Sequence, residues 1–133
     1  MVCGLWGFQV RASQPVGRPA KICYLASPYT AKTEWGRYLN VTSAHYWAKE
    51  IWRKGWACIS PVSNSAWMSD GDDYEFWMEG GLAILERCDA ICIAPGGGQS
   101  RGCQRELARA KELGLAIYYG VDEVPDETEK TKS

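Results

Sequence analysis

Histidine is nearly missing from this chain. His45 stands alone, and none of the six cysteines (3, 23, 58, 88, 92 and 103) forms a Cys-x-x-Cys pair. A zinc site of the usual cysteine and histidine spacing is therefore disfavoured. Cys23, Cys58 and Cys92 lie inside apolar, strand-like runs, where a thiol behaves as a small hydrophobe. Reduced, buried thiols in a cytoplasmic protein are expected, ahead of a disulfide framework. Long apolar runs are absent as well. None approaches the ~20 residues of a bilayer span, so no membrane partner is expected. The N-terminus lacks the lysine-rich start and apolar core of a secretion signal. Charge of one sign is lacking too. A net charge of −1 offers no bulk attraction to nucleic-acid polymers or anionic membranes. No segment repeats.

What remains is enough for one soluble globular domain, since 46% of the 133 residues are hydrophobic. Residues 1–20 show no sustained period and end among Pro15, Gly17 and Pro19, which predicts an irregular lead-in. Residues 120–133 are charged and interrupted by Pro125, which predicts a frayed polar tail. Between them, apolar runs alternate with helical patterns. "KICYLA" (21–26), "WACIS" (56–60), "AICIA" (90–94) and "LAIYY" (115–119) read as short buried strands. Residues 33–55 read as a helix with Leu39, Thr42, Tyr46 and Ile51 on one face and Gly55 as its stop. Residues 72–89 carry Trp77, Met78, Leu82 and Leu85 at helical spacing, despite Gly80 and Gly81. Residues 102–114 place Cys103, Leu107 and Ala110 on one face, with Gly114 as the cap.

A β-α-β-α-β-α-β order predicts a flavodoxin-like (Rossmann-like) α/β sandwich: a parallel sheet of four to five strands, ordered 2-1-3-4, with helices on both faces. Ligands of such sheets bind at the carboxyl ends of the strands, near the switch between the first and third. The loops there are "SPYT" (27–30), "SPVSNSAWMSDGDD" (60–73) and "APGGGQSRG" (94–102).

The last of these loops has two readings. Gly96, Gly97 and Gly98 permit positive φ and inward-turned N–H groups, which with a helix start and the Ser100 hydroxyl would make an anion cradle. Equally, they allow a tight turn in which Ser100 caps the helix. No Gly-Lys-Ser/Thr follows, so the loop is not a Walker motif, nor does it carry GxGxxG with a ribose-binding acid. Glu106 lies about one turn into the following helix, where its side chain can lean back toward the loop. Its plainer roles are favourable placement near a helix N-terminus, or pairing with Arg109.

Together, "YLASP" leaving the first strand, a polar second loop, "CDAICIA" and "SRGCQRELARAKELG" resemble the nucleoside 2-deoxyribosyltransferase superfamily. That group includes the 2'-deoxynucleoside 5'-monophosphate N-glycosidases and small phage and bacterial domains, and the resemblance covers residues 21–119. It implies an enzyme that cleaves the N-glycosidic bond of a nucleoside monophosphate, without metal or cofactor, as a dimer or larger homo-oligomer. It implies Glu106 as nucleophile, with Leu107 also matching the family's motif, whose outer glycines are only partly retained. Ser100 and Gly102 fall at the 5'-phosphate contact, with Ser27, Tyr29 and the three glycines nearby. Tyr24 falls where a tyrosine positions substrate and nucleophile. The family's second acid has no direct match: Gly81 occupies its place, with Glu79 or Asp73 as substitutes. Asn64, Trp67 and Trp77 are candidates for the base pocket, though turn and packing roles explain them as well. Two alternatives stand beside this: a nucleotide-binding module without catalysis, and a phosphoribohydrolase of the PGGxGT type.

Overall fold

The computed structural model describes residues 20–68 and 74–128. The lead-in and Asp73 lie outside them. Strand β1 (Ile22–Ala26) is followed by α1 (Glu34–Arg53), β2 (Ala57–Ile59), a short α2 (Pro61–Ser65) and α3 (Tyr74–Leu85). Then come β3 (Ala90–Ile93), a 3-10 turn at Gly97–Gln99, α4 (Arg101–Leu113), β4 (Ala116–Tyr119) and a second 3-10 turn at Val121–Glu123. The sheet is four-stranded, wholly parallel and ordered β2-β1-β3-β4, as the sequence predicts. The element α2 falls within the predicted second loop, where Ser60 accepts from the Ser63 N–H and Pro61 begins the helix.

Alternation along β1 sorts its side chains onto two faces. Cys23 and Leu25 join Ala44 and Ile51 of α1, Trp56, Cys92 and Val124 in one core. Tyr24 and Ala26 point the other way, into a core with Leu85, Ile91, Ile93, Cys103 and Ala110. Tyr24 is thereby delivered to the layer formed by α3 and α4. The five described cysteines are free thiols, and burial pushes Cys88, Cys92 and Cys103 up to about 11, so they stay protonated at neutral pH.

Thr33 caps α1 by accepting from the Gly36 N–H at 3.0 Å, and the helix ends at Lys54. Its buried face differs from the expected one. Val41, Ala44 and Ile51 pack inward, while Leu39 and Tyr46 are exposed. Small Ala44, with Ala48 partly buried beside it, lets the helix approach the sheet closely, and this outweighs the larger apolar residues in setting its rotation.

Residues 120–128 also depart from expectation, because they are pinned. The Lys54 ammonium donates to the Val121 and Val124 carbonyls at 2.7 and 2.9 Å, and the Trp56 indole N–H donates to the Pro125 carbonyl at 2.8 Å. Val124 and Glu127 are buried, and Glu127 pairs with Lys21 at 3.5 Å. Gly55 has φ of 91°, and a Cβ there would sit 2.8 Å from the Thr128 nitrogen, so only glycine lets the tail cross. A chain ending at Gly120 should lose on the order of 3 kcal/mol of stability, from lost burial and unpaired Lys54 and Trp56 donors. Urea unfolding measures this, and an unchanged midpoint would show that the tail contributes nothing.

Candidate functional site

Tyr24 and Glu106 meet between β1 and α4. The Tyr24 hydroxyl donates a hydrogen bond to Oε2 of Glu106, with both side chains buried. Burial raises the Glu106 carboxyl from 4.5 to about 7, and the Tyr24 hydrogen bond only partly opposes this. Burial, and then the Glu106 charge, push the Tyr24 phenol far above its usual range, so it remains a donor. The site therefore holds a carboxyl group that titrates well above the usual carboxylate range and is oriented by a fixed phenol.

A cavity of about 190 Å³ opens in front of Glu106. The loop after β1 supplies Ser27, Tyr29 and Thr30, and α2 with the residues after it supplies Pro61, Val62, Ser65 and Ala66. Tyr74, Trp77 and Met78 come from α3, while Ser100, Gly102, Cys103 and Glu106 come from the start of α4. The loops that build it leave the carboxyl ends of β1, β2 and β3, where a doubly wound sheet places its ligand.

Two residues of this lining each bury a polar atom that has no hydrogen-bond partner among the described residues: Oγ of Ser27 and Nε1 of Trp77. A buried donor left unanswered costs about 1–3 kcal/mol. Ser100 caps α4, accepting from the Cys103 N–H at 3.3 Å, and Gly102 of the first turn borders the cavity. The positive end of a 13-residue helix thus faces the opening. Across the rim, Arg105 forms a bidentate pair with Glu75 at 2.8 and 3.1 Å, and Arg101 and Arg105 lie 5.0 and 5.6 Å from the Tyr74 ring.

Of the residues singled out from sequence, Tyr24, Ser27, Tyr29, Trp77, Ser100, Gly102 and Glu106 come together here. The three glycines do not. Gly96 has φ of 86°, and the N–H groups of Gly97, Gln99 and Ser100 all donate to carbonyls within or just before the turn. A Cβ on Gly97 would fall 2.8 Å from Cγ2 of Ile93, so that glycine allows close packing. Gly97 and Gly98 border a separate hollow with Leu107 and Tyr119. The loop is thus a tight turn in which the N–H groups of Gly97, Gln99 and Ser100 are already satisfied.

Asn64 and Trp67 are exposed and outside the cavity lining, although Trp67 packs edge-on against Tyr29 at 6.0 Å. Glu79 is exposed on the outer side of α3 and does not substitute for a second acid, because two residues along a helix turn a side chain well away from Gly81. Gly81 itself faces the Tyr24 hydroxyl. Sequence reasoning missed Tyr74 and Met78 as lining residues, though a periodic signal was present: positions 74, 77, 78 and 81 form one stripe of α3.

A family profile with the description "Domain of unknown function (DUF4406)" matches residues 22–119. The chain belongs to that family. This DUF4406 chain also resembles a solved structure, the 2-deoxyribosyltransferase of Bacillus psychrosaccharolyticus, described as a biocatalyst for nucleoside synthesis. The two share 20% identity over 74% of this chain and 70% of that one, with a TM-score of 0.53. At that identity the likeness is one of fold, and it bears out the resemblance read from the residues. No curated protein matches the DUF4406 chain in sequence. Among its described residues no helix is long and apolar enough to cross a membrane.

The raised Glu106 carboxyl ties stability to pH. A carboxyl raised on folding contributes stability that is fully present below about pH 4.5 and lost as pH rises through about 7. Glu106→Gln should remove that loss. Its stability relative to wild type should climb between pH 4.5 and 8, by on the order of 3 kcal/mol. Denaturant midpoints across this range give the measurement, and parallel pH profiles would mean that Glu106 titrates normally.

Proposed function

We propose that the protein cleaves the N-glycosidic bond of a nucleoside 5'-monophosphate with Glu106 as nucleophile. The observation that supports this best is a buried carboxylate, oriented by Tyr24, facing a cavity that opens at a helix N-terminus. In this reading an ionised Glu106 oxygen attacks C1' of the sugar. The C–N bond breaks as its electron pair leaves with the base, which takes up a proton. Water or a second base then attacks C1' and releases Glu106, the two-step logic of retaining glycosidases.

The fold likeness to a 2-deoxyribosyltransferase supports nucleoside chemistry as the class. The monophosphate follows from Ser100, Gly102 and the α4 N-terminus at the cavity rim, which offer donors to an anion. A cavity of about 190 Å³ falls below the ~300–1,000 Å³ typical of drug-sized ligands, so it takes sugar and base edge while the phosphate stays at the rim. Ser27 and Trp77 would then pack against the base or sugar as parts of the cavity wall. Holding C1' against a fixed carboxylate supplies rate through positioning.

Chromatography of deoxynucleoside and ribonucleoside monophosphates after incubation tests this, with the parent nucleosides in parallel. Base should be released from monophosphates in preference to nucleosides, with a rising limb near pH 7, and Glu106→Gln should lower the rate at least ~100-fold. A Glu106→Gln protein as active as wild type would sink the mechanism. Tight binding without base release would instead favour a non-catalytic nucleotide module.

We also propose a homodimer that packs α1 against its copy. Trp35, Tyr38, Tyr46 and Trp52 of α1 are all at least half exposed, a large apolar display for one helix. Light scattering should give twice the chain mass at micromolar concentration; a monomer there would overturn the proposal.

A further inference from the structure

We propose that Gly81 is a positioning residue for Glu106, acting through the Tyr24 hydroxyl, whose alignment on Glu106 depends on α3 carrying no side chain at that point. The paired glycines of α3 are a puzzle of helix chemistry, since glycine inside a helix is less favourable than alanine. The two positions prove unequal. A Cβ on Gly80 would meet nothing within 4 Å, so nothing nearby requires that glycine. A Cβ on Gly81 would lie 3.0 Å from the Tyr24 hydroxyl oxygen and 3.8 Å from Oε2 of Glu106.

Tyr24 cannot easily yield. It has no exposed surface, its ring is packed among Leu85, Ile91 and Cys103, and its backbone is fixed in the sheet between β2 and β3. A Cβ at 81 would therefore displace the hydroxyl by a few tenths of an ångström, sideways across the line of its bond to Glu106. Such a shift bends the donor off the carboxylate oxygen, and a hydrogen bond to a charged acceptor weakens as its angle closes. Among the described residues, the titratable groups beside the Tyr24–Glu106 pair include Cys103 from α4 itself and Cys88 from the segment after α3. Tyr74 of α3 lies across the cavity, and the rim charges Arg105 and Glu75 bond to each other. Tyr24 is thus the main partner through which a change at 81 can alter Glu106.

The kinetic consequence rests on the glycosidase reading, but the geometric claim does not. It is tested by following the Glu106 carboxyl by NMR, in protein labelled with 13C at glutamate side chains, through a pH titration. Glu106 is assigned by the loss of its signal in Glu106→Gln. Wild type, Gly81→Ala, Gly80→Ala, Tyr24→Phe and the Gly81→Ala/Tyr24→Phe double variant are compared.

Gly81→Ala should raise the Glu106 midpoint above its wild-type position, in the same direction as Tyr24→Phe. Gly80→Ala should leave it in place. In the Tyr24→Phe background, where the hydroxyl is gone and a methyl group has room, Gly81→Ala should add no further shift and should raise the melting temperature. A Gly81→Ala protein that fails to fold, while the double variant folds, leads to the same conclusion. An unshifted titration in Gly81→Ala, an equal extra shift in the Tyr24→Phe background, or unfolding of both variants would overturn the proposal. If the titrations behave as expected but no variant releases base, the positioning stands and the proposed reaction fails.

Discussion

A carboxylate kept out of water beside a phenol is the constraint around which this molecule is arranged. Burying Glu106 is unfavourable to its charged form, and the Tyr24 hydroxyl offsets only part of that cost. The arrangement holds only if Tyr24 is itself immobile, so the tyrosine sits on a central strand with strands on both sides. It also needs α3 and α4 at fixed distances. The Arg105–Glu75 pair and the Tyr74 ring tie those helices together at the rim, while Leu85 and Ala110 pack between them and the sheet. Sheet order, strand alternation and helix spacing thus converge on one oxygen-to-oxygen contact.

The architecture was readable in the sequence because its signals are local and mutually consistent. Apolar runs of four or five residues, each followed by a helical pattern, leave few arrangements beyond a parallel sheet. Strand order followed from handedness and economy of connection. Glu106 and Tyr24 were readable as a pair through resemblance; physically, only strand alternation and the lean of a helical side chain bear on their meeting.

Other features were not legible, for identifiable reasons. The rotation of α1 depends on how closely a helix can approach a sheet, and small residues decide that more than large apolar ones. The tail looked frayed because its anchors, Lys54 and Trp56, lie far away in sequence and act on backbone carbonyls, which carry no sequence signature. Three glycines in a row permit both a cradle and a tight turn. Which occurs depends on where the backbone N–H groups go, and here those of Gly97, Gln99 and Ser100 are satisfied by nearby carbonyls. Gly81 could be seen only as a missing acid, since the space it leaves exists in three dimensions alone.

The Lys21–Glu127 contact has a topological consequence. It brings the two ends of the domain together where β1 begins, whereas Glu106 and its cavity lie where β1, β2 and β3 end. Entry and exit of the chain are therefore grouped at one pole of the sheet, and chemistry at the other. A domain so wired can be circularly permuted: a short linker can join its old ends while a new opening is cut in a surface loop, leaving the pole with the carboxylate undisturbed.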